Sequence, residues 1–484
     1  QPLLDFVAEP DSPLRPAVIQ IDDGYQWMDG RPGMNDKFPS GLAGMARKIA
    51  DTRATPGLMV WAREETSLDR VRDAVKAGYR YLKLNGTQLP AGRTQTAFEA
   101  KRARFAAIRA AAGNDTYLLA TESGPDRACV GLVDAKRISG SIQRHEVASA
   151  IGEAVRSLAL NRRWFTADND CYYLTSDLPG LPPVAGGTPL VRTWLSLTGL
   201  ACGNAMTSDP WHWPSIEPFL RNSEILTPPA RETPRVIDLG TSPTPSRIVG
   251  QVDRPWGKWT VALLWNPGPQ AREVRLDFAA AGMDPGGRYA VWSFWDNRFL
   301  GIAENSWTTP ALEPNASQHL CFTPLGDDPL KPELIGSNLH IWCGAAEFEQ
   351  VAALHGAMEI RLTDAGAREG ELFLRCGSRP EIRSSTGCKV ASIESTGGDI
   401  WRVAITGRER GVPQRIEFGV YQPVTSQRWF WLLMVLLGAS LAFAAWRYLE
   451  NLRARQEILR LQQKSALEEE RARIARDLHD ELGA

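Results

Sequence analysis

His479 and Asp480 lie near the C-terminal end of the chain, within a charge-rich stretch at residues 468–484. An imidazole that is nearly neutral at physiological pH has a free lone pair for nucleophilic attack. The neighbouring carboxylate of Asp480 would orient that ring or take its proton. The alternative interpretation is an ordinary solvent-exposed helix histidine. The surrounding sequence has to decide between the two.

Predicted strands and helices alternate in the N-terminal half of the chain. Within residues 1–235, helical periodicity predicts helices such as 42–51, 68–77, 96–112 and 147–160. Strand–helix alternation is typical of a parallel sheet with helical crossovers. The predicted strands are 17–24, 56–62, 79–86, 116–122, 131–139, 164–174 and 204–208.

Seven such units predict a (β/α)8 TIM-type barrel with its first strand missing, over residues 1–240. A doubly wound open sheet is the alternative, but no GxGxxG motif supports it. Residues 245–327 and 330–423 predict two antiparallel β-sandwich domains, because β-like runs alternate there with Pro and Gly turns. Their predicted strands are 259–265, 273–278, 289–294 and 318–322, then 337–343, 357–362, 370–375, 401–406 and 415–421.

An uncharged apolar run at residues 429–446 follows the β-domains. Its length is close to the ~20 residues that span a bilayer. Trp429, Trp446 and Tyr448 at its ends resemble an interfacial aromatic belt. A buried core helix is the alternative. Arg and Lys are concentrated on the C-terminal side, so the positive-inside rule predicts residues 1–426 outside the membrane and the C-terminus in the cytoplasm.

Past the span, Leu452, Leu459 and Ala466 recur every seven residues. This spacing is typical of a coiled-coil seam between two copies of a chain, although a single solvated helix is the alternative. The C-terminal part is therefore divided into a transmembrane helix (428–448), a coiled-coil linker (449–470) and the start of a helical domain (471–484).

Composition excludes some classes of function. A net charge of −1 gives no electrostatic case for nucleic acid as a partner. The seven cysteines include no CxxC pair, so the spacing of a metal site is absent. Cys376 and Cys388 would either bridge a β-hairpin in an oxidising compartment or remain buried thiols.

Several motifs of the predicted barrel resemble the α-galactosidase/melibiase clan, and glycoside hydrolase family 36 in particular. Each motif is short, but their order and spacing are shared with that family across roughly residues 1–325. The motifs are VIQIDDGYQ (18–26), KFPSGL (37–42), YLKLN (81–85), GLVDAKRI (131–138), ADNDC (167–171) and LTG (197–199). The resemblance implies a barrel followed by the family's C-terminal sandwich.

Two positions depart from the chemistry that this resemblance implies. Retaining glycosidases use two carboxyl groups about 5–5.5 Å apart, one as nucleophile and one as acid/base. Asn85 stands where the family has its nucleophilic Asp, and Ser141 stands four residues after Arg137, where the acid/base Asp is expected. An amide is a far poorer nucleophile and a hydroxyl is no acid at neutral pH. The sequence therefore predicts a domain that does not hydrolyse glycosides by the family mechanism.

Other positions match the family's sugar-contacting residues, which by resemblance makes them candidate ligand-binding residues. Asp22 and Asp23 end a strand and accept hydrogen bonds from neighbouring hydroxyls, while Lys83 and Arg137 supply cationic donors. Barrels build their sites at such strand ends. The alternative is that these charges satisfy one another at the mouth of the barrel.

Three further acids leave a substitute mechanism open. Glu122 ends a predicted strand, and Asp168 and Asp170 lie within another, so Glu122 and one of the two Asp residues would be a new catalytic pair. Asp134 and Asp170 are equally compatible with structural roles.

The stretch ERARIARDLHDELG (470–483) resembles the dimerisation and phosphoacceptor helix of sensor histidine kinases, in the subgroup of nitrate/nitrite sensors. The resemblance implies that His479 is the residue phosphorylated on its imidazole. It also implies a homodimer, a response regulator as partner, and ATP and Mg²⁺ as cofactors of a kinase domain outside this sequence. No cofactor is predicted for residues 1–484 themselves.

The sequence is thus interpreted as a fragment of a membrane sensor histidine kinase, truncated at both ends. Its barrel outside the inner membrane is predicted to sense a carbohydrate. Two alternatives remain at this point: a membrane-anchored glycoside hydrolase that uses other acids, and a periplasmic module that docks another protein.

Overall fold

The computed structural model describes most of the chain in two units, residues 1–420 and 421–484. Within α-helical residues 479–482 only the backbone is described. The described residues are 2–9, 12, 15–27, 33–62, 67–86, 96–122, 126–140, 143–144, 146–201, 203–229, 231–326, 328, 331–354, 356–420, 425 and 428–482.

Seven parallel strands form one sheet in sequential order from the first to the seventh. They are β1 (Val18–Ile21), β2 (Thr55–Trp61), β3 (Tyr81–Asn85), β4 (Tyr117–Ala120), β5 (Ala135–Arg137), β6 (Thr166–Tyr172) and β7 (Asn204–Thr207). The helices are α1 (Pro2–Ala8), α2 (Gly41–Asp51), α3 (Ser67–Ala77), α4 (Ala97–Ala112), α5 (Val147–Ser157), α6 (Gly187–Ala201) and α7 (Arg221–Glu224). All seven predicted strands are present. Their sequential parallel order is that of a (β/α)8 barrel that lacks one strand.

Strands β2 and β4 are largely apolar because both faces of a parallel sheet are buried. In β2 the side chains of Leu58, Met59 and Val60 are all inaccessible to solvent or nearly so. Helix α4 begins at a capping box, in which the Thr96 hydroxyl accepts from the backbone N–H of Glu99 and the Glu99 carboxylate accepts from that of Thr96. These local signals explain why the barrel elements were predictable.

The first β-domain is a six-stranded antiparallel sheet with a two-stranded sheet beside it. The strands are β8 (Arg235–Val236), β9 (Arg247–Arg254), β10 (Gly257–Trp265), β11 (Arg275–Asp277), β12 (Tyr289–Ser293), β13 (Arg298–Ala303), β14 (Ser306–Thr308) and β15 (Ser317–Pro324). Side chains on one face of β10, such as Leu264, share a core with Phe278, whereas Leu263 on the other face belongs to the barrel core. The large sheet is therefore buried on both faces and joins the barrel.

Helix α6 forms the barrel's side of this junction. It packs against β6 and also against β10 and β15. Every residue from Trp194 to Ala201 is buried, as expected for a helix that is covered all round rather than on one stripe.

The second β-domain is a sandwich of two four-stranded antiparallel sheets. Its strands are β16 (Glu333–Ser337), β17 (Phe348–Leu354), β18 (Ala357–Leu362), β19 (Gly370–Arg375), β20 (Pro380–Thr386), β21 (Lys389–Gly397), β22 (Ile400–Thr406) and β23 (Gln414–Val420). Leu372 and Val403 of one sheet share a core with Ile416 of the other. Cys376 and Cys388 are both free buried thiols.

The predicted strand at 337–343 is wrong. Strand β16 ends at Ser337, and the following residues form bends and turns. These residues connect different parts of the fold instead of joining a ladder: the backbone N–H of Ile341 donates to the Ile225 carbonyl, and the indole of Trp342 donates to the Gly199 carbonyl at 2.9 Å. Long-range packing overrides the local apolar pattern here.

A fully buried carboxyl in the second β-domain gives a pH prediction. Burial raises the pKa of Glu347 from 4.5 to about 7. The native state therefore holds its proton more tightly than the unfolded state, so stability falls as pH rises from about 4.5 to 7 and is constant above that window. The loss amounts to about 3 kcal/mol. We expect E347Q to remove this pH dependence in thermal denaturation at pH 5 and pH 8.

The control is E349Q, because Glu349 is an exposed carboxyl two residues further on. An E347Q protein that loses as much stability as the wild type between pH 5 and pH 8 would contradict the assignment.

The second unit contains one long helix, α8 (Arg428–Leu482). Its apolar part has a mean hydropathy of 1.9, and none of that window is buried. A core helix buries most of such side chains, so the buried-helix alternative does not fit. Helix α8 is a candidate membrane span by length and composition. With the barrel-type sheet and the antiparallel β-domains, it confirms the predicted fold class.

Candidate functional site

Four charged residues meet at the C-terminal ends of the barrel strands. Asp22 follows β1, Lys83 lies in β3, Arg137 ends β5 and Asp170 lies in β6. Lys83 Nζ lies 2.7 Å from Asp22 Oδ2 and 3.9 Å from Asp170 Oδ1, and Arg137 donates to Asp170 Oδ1 at 2.9 Å. This edge of a barrel sheet is where sites are built. Three of the four residues predicted as ligand-binding, Asp22, Lys83 and Arg137, therefore belong to one charge network.

The network is buried at its centre and open at one end. The side chains of Lys83, Arg137 and Asp170 are each about 8% exposed or less, whereas that of Asp22 is 50% exposed. Burial acts to lower the pKa of Lys83, but the carboxylates of Asp170 and Asp22 outweigh it and hold that pKa above its usual value. Lys83 is thus a permanently charged donor beneath an accessible carboxylate.

Asp23, the fourth predicted residue, lies at the same strand end and contacts a different partner. Its carboxylate accepts from the indole N–H of Trp61 at 3.3 Å and from the backbone N–H of Gly24. Trp61 ends β2, the neighbouring strand. Trp61 was not among the predicted site residues, although its place at a strand end was a usable signal.

The backbone of β6 is irregular where it carries the site. Asp170 has a positive φ of 64°, and the pairing of β6 with β7 shifts register between Asp168 and Cys171. The Asp170 N–H donates to Asp168 Oδ1 at 2.9 Å, which holds this bulge. Strained backbone of this kind is concentrated at functional sites.

Several buried polar atoms around the network have no hydrogen-bond partner among the described residues. They include Nε of Arg137, Oδ2 of Asp168 and both side-chain polar atoms of Asn169. Burial raises the pKa of Asp168, with Arg137 opposing it. Unpaired buried groups are costly, so a cluster of them indicates a place for water or ligand hydroxyls. The run Asp-Asn-Asp inside an apolar strand was the signal for Asn169, which sequence reasoning missed.

Asn85 ends β3 beside this network. Its side-chain oxygen accepts from the backbone N–H of Gly86 at 3.1 Å and from the Thr121 hydroxyl at 3.0 Å. The single Thr121 hydroxyl hydrogen is shared between this oxygen and the Leu84 carbonyl, which is also 3.0 Å away. The Asn85 group is a neutral amide. Ser141, the other position of the family's chemistry, lies outside the described residues.

Of the three alternative acids, Asp168 and Asp170 lie in β6 at the site, whereas Glu122 is bound elsewhere. Glu122 forms a 2.7 Å ion pair with Lys101 of α4, which also pairs with Asp126 at 2.7 Å. Asp134 pairs with Arg109 and accepts from the backbone N–H of Leu118. The Glu122 carboxylate therefore pairs with helix α4, and the Asp134 carboxylate has a structural role just before β5.

The loop after β7 adds aromatic and charged groups at the same edge. Asp209 accepts from the Leu174 N–H at 2.6 Å and lies 3.4 Å from Arg144, whose guanidinium lies over the Tyr173 ring. Burial raises the pKa of Asp209. These contacts fix the β6 and β7 loops to each other.

The predicted phosphoacceptor lies on α8, whose backbone is helical through Leu482. The side chains of His479 and Asp480 are outside the described part of the chain. Upstream on the same helix, Leu452, Leu459 and Leu478 are all at least 37% exposed. The described leucines of the apolar stripe predicted from the heptad spacing are therefore exposed.

No protein-family model and no curated protein sequence matches this chain. Many solved structures are similar, and three of them are described here. The GH27 β-L-arabinopyranosidase from Geobacillus stearothermophilus is 13% identical, over 68% of this chain and 92% of that one, with a TM-score of 0.51. α-Galactosidase I from Mortierella vinacea is 15% identical over 63% and 87%, with a TM-score of 0.48. The α-galactosidase from Thermus thermophilus is 25% identical over 51% and 60%, with a TM-score of 0.38.

At these identities the similarity defines the fold. The chain has a glycosidase-like barrel fold whose structural neighbours are GH27 α-galactosidase-like enzymes, together with a candidate membrane helix. The finer resemblance to family 36 remains a prediction.

Proposed function

We propose that this chain is the sensing and membrane part of a two-component sensor histidine kinase, and that its barrel binds a carbohydrate without cleaving it. The proposed carbohydrate binding rests on one observation, the charge network Asp22–Lys83–Asp170–Arg137 beside a neutral Asn85. It keeps donors and acceptors for hydroxyl groups while the nucleophile's position holds an amide.

The chemistry of Asn85 argues against hydrolysis. The retaining mechanism needs a carboxylate that attacks and a second carboxyl that protonates the leaving oxygen. The amide oxygen of Asn85 is held by Gly86 and Thr121. Asp170 is neutralised by Arg137, and Glu122 by Lys101. Asp170 and Glu122 are therefore not free nucleophiles, and burial, which raises the pKa of Asp168, disfavours the carboxylate form of that third acid.

The binding half rests on the unpaired polar atoms and on the fold. A sugar offers hydroxyls that both donate and accept, which suits a site holding Asp168 Oδ2, the Asn169 amide and Arg137 Nε without partners among the described residues. The similar arabinopyranosidase is a carbohydrate-processing enzyme by name, and we extend only its ligand class to this chain.

The proposed signalling function rests on the sequence of residues 470–483 and on helix α8. In this proposal the apolar part of α8 crosses the inner membrane, the barrel lies outside, and His479 lies in the cytoplasm with Asp480 beside it. The exposed stripe through Leu452 and Leu459 pairs with a second copy. Ligand binding would bias the packing of that coil and so the presentation of His479 to a kinase domain that uses ATP and Mg²⁺. A response regulator receives the phosphoryl group.

The test is calorimetric titration of the full chain in detergent with galactosides, arabinosides and other neutral sugars. We expect saturable heat for at least one of them. The absence of heat for the whole series would remove the carbohydrate-sensor proposal.

An assay with an aryl α-galactoside separates binding from hydrolysis. We expect no turnover by the wild type above the uncatalysed rate, and none by N85D, because a restored nucleophile still lacks an acid/base partner. Turnover that survives in N85A and is lost in E122Q would instead support a membrane-anchored hydrolase.

A further inference from the structure

Two buried cysteines meet where the first β-domain contacts the 338–343 turn, the segment that follows β16. Cys321 lies in β15, and Cys343 is the last residue of that turn. The two residues are 0% and 2% exposed and belong to the same buried cluster. Their thiols hydrogen-bond to each other. Two thiols in contact are the starting point for a disulfide bond.

The carbonyl of Ile341 shows independently that the turn packs on the cysteine-bearing face of β15. His319 lies two residues before Cys321, and residues two apart in a strand share a face. Its Nε2 donates to the Ile341 carbonyl at 2.9 Å. The Cys343 sulfur lies 3.8 Å from that same carbonyl oxygen. The turn therefore carries Cys343 onto the side of β15 from which Cys321 projects.

The backbone of Cys343 is strained at this contact. Its φ is 54°, in the left-handed region that favours glycine. A cysteine in that region is uncommon, and strain of this kind indicates that the side chain is needed where it is. The side chain in question is the one whose thiol meets Cys321.

Other uses of a cysteine pair fit these residues less well. Burial raises the pKa of the Cys343 thiol well above its usual value, so the pair holds little of the thiolate that a nucleophile needs. Among the described residues, no group of three or more His, Cys, Asp or Glu side chains could hold a metal ion. A covalent bond between the two sulfurs is the chemistry that remains.

We propose that Cys321 and Cys343 are a modification site and form a disulfide in an oxidising compartment. Both are free thiols in the structure. After local opening, one thiolate attacks a disulfide oxidant such as glutathione disulfide, forming a mixed disulfide and releasing one glutathione thiolate. The second thiolate attacks the protein sulfur of that mixed disulfide, so the Sγ–Sγ bond forms and the second glutathione thiolate leaves. The protein loses two electrons and two protons, and the oxidant is reduced to two thiols.

The bridge would fix the 338–343 turn to β15. The same turn contacts the barrel, because Trp342 donates to the Gly199 carbonyl of α6 and the Ile341 N–H donates to the Ile225 carbonyl. The disulfide would therefore stabilise the junction of the β-domains with the barrel by restricting the unfolded chain. Its formation in the cell rests on the proposed location of residues 1–426 outside the membrane. The bond itself depends on neither sugar binding nor phosphorylation.

The test is a thiol–disulfide equilibrium on the full chain in detergent. The protein is reduced, equilibrated with mixtures of reduced and oxidised glutathione, quenched with acid, alkylated and digested for peptide mass spectrometry. We expect a linked Cys321–Cys343 peptide in most molecules under excess oxidised glutathione, and its loss after dithiothreitol. The oxidised protein should also melt a few degrees higher than the reduced protein.

Two variants make the result specific. C343A should lose both the linked peptide and the oxidation-dependent rise in melting temperature. C388A removes a different buried thiol and should keep both. The linked peptide is measured on the wild type, so the test is decisive even if C343A does not fold.

Four results would overturn the proposal. They are the absence of a Cys321–Cys343 peptide at every glutathione ratio, a Cys376–Cys388 bridge in its place, glutathione that remains on Cys343 as a mixed disulfide, and an oxidation-dependent rise in melting temperature that persists in C343A.

Discussion

Replacing His479 with Gln is expected to abolish phosphorylation of this chain. The full chain in membrane vesicles would be incubated with labelled ATP, Mg²⁺ and a separately supplied ATP-binding domain from a kinase of the nitrate-sensor type. The wild type should acquire label that is stable to alkali and labile to acid, as for a phosphoryl group on imidazole nitrogen. The label incorporated by H479Q should be at least about 100-fold lower, because a glutamine amide has no nucleophilic lone pair comparable to that of imidazole.

Two matched variants make this result specific. H212Q changes a histidine of the loop after β7 and should be labelled as the wild type is. D480N keeps the size of the side chain but removes its charge, and should slow labelling by about 10-fold or more if the carboxylate orients the ring or takes its proton. Label at the wild-type level in H479Q would show that the resemblance of residues 470–483 does not carry the function.

Replacing Lys83 with Met has the second largest expected effect, on both sugar binding and stability. The change removes one of the two described cations beside the buried Asp170, the other being Arg137, while the half-exposed Asp22 is compensated by water. Removing one partner of a buried ion pair costs about 3 kcal/mol. We expect a lower melting temperature and loss of the heat of sugar binding in the calorimetric titration.

A double variant separates the structural role of Lys83 from a binding role. K83M/D170N removes the carboxylate that Lys83 helps to neutralise, so stability should partly recover while sugar binding stays lost. K48M, at an exposed position of α2, is the matched control and should change neither quantity. If K83M binds sugar with wild-type affinity, the network only satisfies its own charges.

The fold was largely predictable because its signals are local. Apolar runs at strand length and helical periodicity between them predicted all seven barrel strands, and an uncharged run of bilayer length predicted the candidate span. The prediction failed at residues 337–343, where an apolar run became a turn because Ile341 and Trp342 bond to Ile225 and Gly199. No local pattern contains those partners.

The composition of the candidate site was predictable, but its connections were not. Sequence alone determined that residue 85 is an amide, that His479 follows an apolar helix, and that charged groups end the barrel strands. Tertiary structure decided which charges form ion pairs. Lys83 pairs with Asp22, 61 positions away, and Arg137 pairs with Asp170, 33 positions away. Glu122 pairs with Lys101 instead of entering the site. The physical reason is that chemical identity and periodicity belong to neighbouring residues, whereas ion pairing, burial and unpaired donors depend on which distant segments the barrel and the β-domains bring together.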